Sequence, residues 1–289
     1  MSRDRRQLCR ATGHCRGRHA NRGADQRPRL GANARGSASS MIVSVTAATI
    51  VAMGGGGFSM EPENPLLDDY LLSLAGTVKR PRICFVPTAS GDSEEYIERF
   101  HQAFPPERAH ASVLSLFRRD VADLHAFLLT QDVVYVGGGN TANLLAVWKL
   151  HGLGDALRGA ARAGVILAGI GAGMNCWFEA SVTDSLGPGL QALHAGLGML
   201  SGSACPHYDG EAERRPTYLR LVAGGSLPGG YAADDGCALV FRNGELVEAV
   251  SSRPGARAFA VTRDGQGAIE ARLPVRFLGR ERSTGTAPG

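Results

Sequence analysis

Several signatures are missing from these 289 residues, and each absence narrows the field. The six cysteines (Cys9, Cys15, Cys84, Cys176, Cys205 and Cys237) contain no C-x-x-C pair, and most stand among apolar residues. That pattern fits free, buried thiols in a reducing cytoplasm better than a disulfide framework. No apolar run reaches the roughly 18 residues of a membrane-spanning helix. A dinucleotide fingerprint fails at both places it could start, because Met174 and Ser59 stand where the third glycine belongs. The Gly-Lys-Ser/Thr of a phosphate loop is missing, and no internal repeat is evident. Acidic residues are scarce at the start: residues 1 to 40 hold ten arginines against Asp4 and Asp25, a local charge of +8 in a chain of net +4. The remaining 249 residues therefore carry −4, and a basic surface for nucleic acid is not expected in the body of the protein.

The arginine-rich start also lacks large apolar residues and periodicity, so it is expected to be a disordered tail. A transit peptide and a translation start at Met41, where a strand-like run begins, are the other readings of it. Its Cys9, His14, Cys15 and His19 match no zinc spacing. What is plentiful elsewhere is apolar sequence, 44% of the chain, which suffices for a full core.

From residue 41 to about 280 short apolar runs alternate with helical patterns. "TIVAM", "RICFVP", "ASVLSLF", "DVVYV" and "VILAGI" read as continuous buried strands, separated by helical stretches such as "NPLLDDYLLSLAG" and "SEEYIERFHQAF". Buried strands alternating with helices imply a parallel sheet covered on both faces, a three-layer α/β sandwich of flavodoxin-like type. Beyond about residue 215, "YLRLV", "GYAADDG", "CALVF", "ELVEAV" and "RAFAVTR" read as short strands, with Asn243-Gly244 as a hairpin turn, so the last third is expected to be mainly antiparallel β. Residues 281 to 289 are expected to fray.

The chemistry concentrates in "VILAGIGAGMNCWF", residues 165 to 178, a strand running into a glycine-flanked turn and then a helix. That is the context of a G-x-S-x-G nucleophile elbow, with Gly171 at the tip where serine would stand. Glycine keeps the strained turn without a Cβ penalty and deletes the attacking atom, while the backbone N–H of Ala172 stays available as an oxyanion donor. A plain glycine-rich turn is the other reading. His207 in "ACPHYDG" is the candidate base. Asp184 is the first candidate for the acid that orients it, with Asp209 and Glu179 behind. "VGGGN" offers N–H groups of Gly138 and Gly139 for an oxyanion hole, or equally a helix start capped by Asn140 or Thr141.

Five stretches in order, "IVAMGGGGFS", "VPTAS", "YVGGGNT", "AGIGAGMNCWFEASVTDS" and "SACPHYDGE", resemble peptidase family S51, the peptidase E or aspartyl dipeptidase group, over roughly residues 42 to 280. The resemblance implies the fold of class I glutamine amidotransferases and a serine-type peptidase with a Ser-His-Asp/Glu triad. Carried over by position, the serine falls on Gly171, the base on His207, the acid on Asp184, and the oxyanion donors on Gly138 and Ala172. It implies a short, Asp-containing peptide as substrate, and hydrolysis through a triad needs no metal or organic cofactor. A cytoplasmic monomer or homodimer is expected, with no nucleic-acid or membrane partner. Gly171 departs from the pattern, so the chain is expected to be inactive or severely impaired in peptide cleavage. The alternative is a natural pseudoenzyme that binds a small peptide or carboxylate. Cys176, five residues past the tip, is not placed to stand in for the serine.

Overall fold

The computed structural model describes residues 47–280. The disordered-tail, zinc and fraying expectations, which concern residues 1–40 and 281–289, lie outside that range. Eight strands form the larger sheet, in the order Arg276–Phe277, Glu245–Ser251, Cys237–Arg242, Thr49–Met53, Ile166–Ile170, Val133–Val136, Arg82–Val86 and His110–Val113. The five strands from Thr49–Met53 to His110–Val113 are all parallel to one another. Cys237–Arg242 and Glu245–Ser251 extend this sheet as an antiparallel hairpin. Its two-residue turn is Asn243-Gly244, both at positive φ (51° and 85°), the backbone that a tight hairpin of matching twist requires.

Strand alternation explains why both faces are covered. Val51, Met53, Ile83, Phe85, Val133 and Tyr135 point to one face, where they meet Leu67 and Leu71 of helix Leu66–Ser73 and Tyr96 and Phe100 of helix Glu94–Ala103. Ile50, Ala52, Cys84, Val86, Val134 and Val136 point to the other, against Leu144 and Trp148 of helix Thr141–His151 and Leu157 of helix Leu153–Arg162. The three-layer α/β sandwich follows from this period of two.

A second sheet of six strands was not expected. It runs Gly267–Arg272, Ala258–Asp264, Gly230–Ala233, Leu200–Cys205, Phe178–Thr183 and Gln191–Leu193. The helix after the elbow is a single turn, Ala172–Asn175, because Cys176, Trp177 and Phe178 are drawn into the core and Phe178 already begins a strand. "YLRLV" is also corrected: it lies inside helix Arg214–Ala223. Arg214, Thr217, Tyr218 and Val222 are the buried residues there, a helical stripe that packs Tyr218 and Val222 on Phe259 and Val261 of the second sheet.

Candidate active site

Strand, glycine turn and helix follow one another here in the expected order. Strand Ile166–Ile170 ends at Gly171, which takes φ 57° and ψ −110° and leads into the one-turn helix. An L-residue there would be strained, which marks the position as a shaped turn. The flanking glycines serve close approach instead: a Cβ on Gly169 would strike the Gly173 carbonyl, and one on Gly173 the Val136 carbonyl. A Cβ built on Gly171 lies 3.0 Å from Nε2 of His207. The side-chain direction at the tip of the turn therefore aims at the imidazole.

His207 reaches this position from the second sheet. Strand Leu200–Cys205 delivers it through buried Pro206, and its own backbone sits at φ 53°, with its N–H donating to the Gly54 carbonyl at 3.1 Å. A histidine held at positive φ by tertiary hydrogen bonds is a strained residue of the kind that gathers at functional sites.

The acid beside it is Asp235, not one of the expected candidates. Asp235 Oδ1 lies 2.7 Å from His207 Nδ1, and the two side chains are 12% and 23% exposed. With Nδ1 on the carboxylate, the tautomer with a free Nε2 facing Gly171 is favoured. Asp235 is seated by the glycine loop after the first strand, through a parallel bridge to Gly55 and a hydrogen bond from Gly236 N to Gly55 O at 3.0 Å. A Cβ on Gly55 would collide with the Asp235 carboxylate.

Asp184 is exposed, lines the same cavity, and makes no hydrogen bond to His207. The reason is strand order. The histidine strand is flanked by Phe178–Thr183 on one side and Gly230–Ala233 on the other, and the imidazole turns Nδ1 toward the acid that follows the latter. Asp209 instead accepts a hydrogen bond from the backbone N–H of Asp235 at 2.8 Å, so it steadies the acid from behind. Glu179 accepts from Gly202 N at 3.1 Å and has no hydrogen bond to the histidine.

Of the N–H groups expected as oxyanion donors, that of Gly138 is engaged elsewhere. The Gly138 N–H donates to the Tyr96 hydroxyl at 3.2 Å and so already has an acceptor. Among the described residues the N–H groups of Gly139 and Ala172 have no acceptor, and both residues line the cavity with Gly171 and His207. Asn140 is the helix cap, its side chain accepting from Asn143 N at 2.8 Å.

The cavity is small, about 190 Å³, and polar. Its one arginine or lysine is Arg214, only 5% exposed, held by Glu211, which also lines the cavity, through Nε at 3.0 Å and Nη2 at 2.8 Å. Cys176 is fully buried, donates to the Gly173 carbonyl at 3.1 Å, and has its thiol pKa pushed well up by burial, so it supplies no thiolate. No group of three or more potential metal ligands comes together among the described residues, and no helix there is long and apolar enough to cross a membrane.

The profile of peptidase family S51 matches residues 50–249, the span that holds the glycine loop, the elbow, His207 and Asp235. The chain belongs to peptidase family S51. An uncharacterized peptidase, YgaJ, of Bacillus subtilis (strain 168) is 54% identical over 230 residues, covering 80% of this chain and 99% of that one. An uncharacterized peptidase of Pasteurella multocida (strain Pm70), PM1590, is 31% identical over 107 residues, 36% of this chain and 52% of that one. Two solved structures share the fold at 18% identity. A peptidase from an acI-B1 actinobacterium gives a TM-score of 0.61 over 80% of this chain and 96% of that one. A Listeria monocytogenes EGD-e chain assigned to peptidase E gives 0.52 over 70% and 98%. By family this is a hydrolase of the peptidase type. The sequence reading did not place Asp235 beside His207; the signal for it was an acidic pair ending the strand-like "GYAADDG" and followed by Gly236.

Proposed function

We propose that this S51 chain is built around a serine-type peptidase site for short, acidic peptides, with Gly171 in the place of the nucleophile. Cleavage through an acyl-enzyme is then lost or severely slowed. The observation that carries the reading is the 3.0 Å between the Gly171 Cβ position and His207 Nε2, on a turn already set at φ 57° and ψ −110°. A serine there would place Oγ within hydrogen-bond reach of the imidazole. His207 would take the hydroxyl proton, Asp235 would stabilise the imidazolium, and the N–H groups of Gly139 and Ala172 would receive the oxyanion.

Two features support the substrate class. A cavity of about 190 Å³ suits a small substrate, and the buried Arg214, whose Nε and Nη2 are held by Glu211, keeps Nη1 as a donor beside the reacting centre. The test is hydrolysis of a panel of Asp-X dipeptides by the protein and by Gly171→Ser. Turnover by the serine form, roughly 10⁴-fold or more above the glycine form, is expected from the loss that nucleophile removal causes in such triads. No turnover and no labelling of the serine form by a fluorophosphonate would end the peptidase reading.

A binding role is the second reading, favoured by the fact that Arg214, His207 and the N–H groups of Gly139 and Ala172 all remain at the cavity in the glycine form. Calorimetry with Asp-X dipeptides on the folded protein should then give saturable heat. An absence of binding would remove it.

A further inference from the structure

The Cβ point of Gly171 has an unusual surrounding. Its nearest non-adjacent atom is His207 Nε2 at 3.0 Å; Gly138 Cα follows at 3.7 Å and Cδ2 of the same ring at 4.0 Å. With no side chain on Gly171, the Nε2 edge of the imidazole opens onto the cavity lined by Gly139, Gly171 and Ala172, whose roughly 190 Å³ has room for a water molecule within hydrogen-bond reach of the ring. Behind the ring stands Asp235, which fixes the base, and beside it the N–H groups of Gly139 and Ala172, so every part of an acyl-transfer site is present except a covalent nucleophile.

We propose that in this chain the His207–Asp235 dyad activates a water molecule held at the Gly171 tip and delivers it directly to an acyl carbonyl, with no acyl-enzyme. The proposal rests on the reading that the cavity admits acyl substrates. In the first half of the reaction Nε2 takes one proton from water as the water oxygen bonds to the carbonyl carbon, and the carbonyl oxygen becomes an oxyanion facing the Gly139 and Ala172 N–H groups. On collapse the bond to the leaving group breaks and the leaving group takes the proton from Nε2. One water is consumed, an acid and an alcohol or amine are released, and no other reactant is needed. Esters with good leaving groups are the favoured class, because a phenolate departs with little help from a proton, whereas an amine must be protonated first.

The probe is p-nitrophenyl acetate, with the protein, His207→Gln, Asp235→Asn, Gly171→Ala and Gly171→Ser, each checked for folding by circular dichroism. The glycine protein should turn over linearly, with no burst and no inhibition by a fluorophosphonate. His207→Gln should fall by about 10²-fold or more, the usual size of a general-base contribution, and Asp235→Asn should fall with it. Gly171→Ala should lose at least about tenfold, since its methyl carbon, 3.0 Å from Nε2, crowds the ring nitrogen and blocks the approach of water to it; because that residue also strains the backbone, the His207→Gln rate decides the matter if the alanine form misfolds. Equal rates for the protein and His207→Gln, or a stoichiometric burst from the glycine protein, overturn the proposal. A His207-dependent burst and labelling in Gly171→Ser, without His207-dependent turnover in the glycine protein, overturns this inference and leaves the peptidase reading intact.

Discussion

A side chain at residue 171 must accept φ 57° and ψ −110°, which glycine does freely and an L-residue only under strain. Gly171→Ser is therefore expected to lower stability by about 1–3 kcal/mol even as it supplies a nucleophile. In a chain of this size that corresponds to a fall in Tm of roughly 2–4 °C per kcal/mol, which differential scanning calorimetry would register; an unchanged Tm would mean that the turn relaxes. The two candidate acids separate at this scale as well. In the serine background Asp235→Asn should cut kcat by about 10⁴-fold, the cost of a mis-set imidazole tautomer, while Asp184→Asn should leave kcat nearly unchanged. Equal losses would return Asp184 to the triad. Gly171 and His207 were legible because each belongs to a local pattern, a strand-turn-helix and a strand-ending loop. Asp235 was not, since its partnership with His207, 28 positions away, is created by parallel pairing of Leu200–Cys205 with Gly230–Ala233 and by no spacing in the chain.

Helix Leu66–Ser73 carries a burden at Asp68, whose carboxyl is buried with Oδ1 lacking any hydrogen-bond partner. Burial raises its pKa to about 7, against the opposing pull of the Arg108 guanidinium. An unfolded aspartate titrates near 4, so between about pH 4 and pH 7 the folded state holds a proton that the unfolded chain has released. Stability should accordingly fall as pH rises through that window. Asp68→Asn should flatten the fall and leave the variant more stable at pH 8, by on the order of 2–4 kcal/mol in urea titrations. A parent chain whose stability is level from pH 5 to pH 8 would contradict this. Elements were legible where period and punctuation agreed, as in the parallel strands and the Asn243-Gly244 hairpin. They were misread where two periods fit the same residues: in "YLRLV" the apolar positions 219 and 221 suggest alternation, yet the stripe Arg214, Thr217, Tyr218, Val222 is the one that packs.

Over the whole molecule, the two sheets meet at the site. The elbow ends a strand of the larger sheet, His207 follows a strand of the smaller, and Asp235 lies in the short link between Ala233 of the smaller sheet and Cys237 of the larger. Both tryptophans, Trp148 and Trp177, are buried in the core that joins the sheets. Their fluorescence therefore reports the contact between sheets, and its urea transition should coincide with loss of helical circular dichroism, a single cooperative unit with its site intact until the end. Two separated transitions would show the smaller sheet coming away first. The arrangement of layers was legible from the strand-helix alternation; that the second half of the chain would build its own sheet was not, because a one-turn helix followed by Trp177 and Phe178 looks like a longer helix until its burial is known.

The glycine at the elbow also bears on descent. On the proposed reading, the chain has set aside one side chain and kept the base at positive φ, the acid in the link between sheets, and the turn itself. Serine and glycine codons can differ by a single base, so the lineage stands next to its own restoration: a mutation at residue 171 would meet an imidazole already in place, whereas a lineage that had lost Asp235 or the His207 backbone would have to rebuild the site before a serine could be of use.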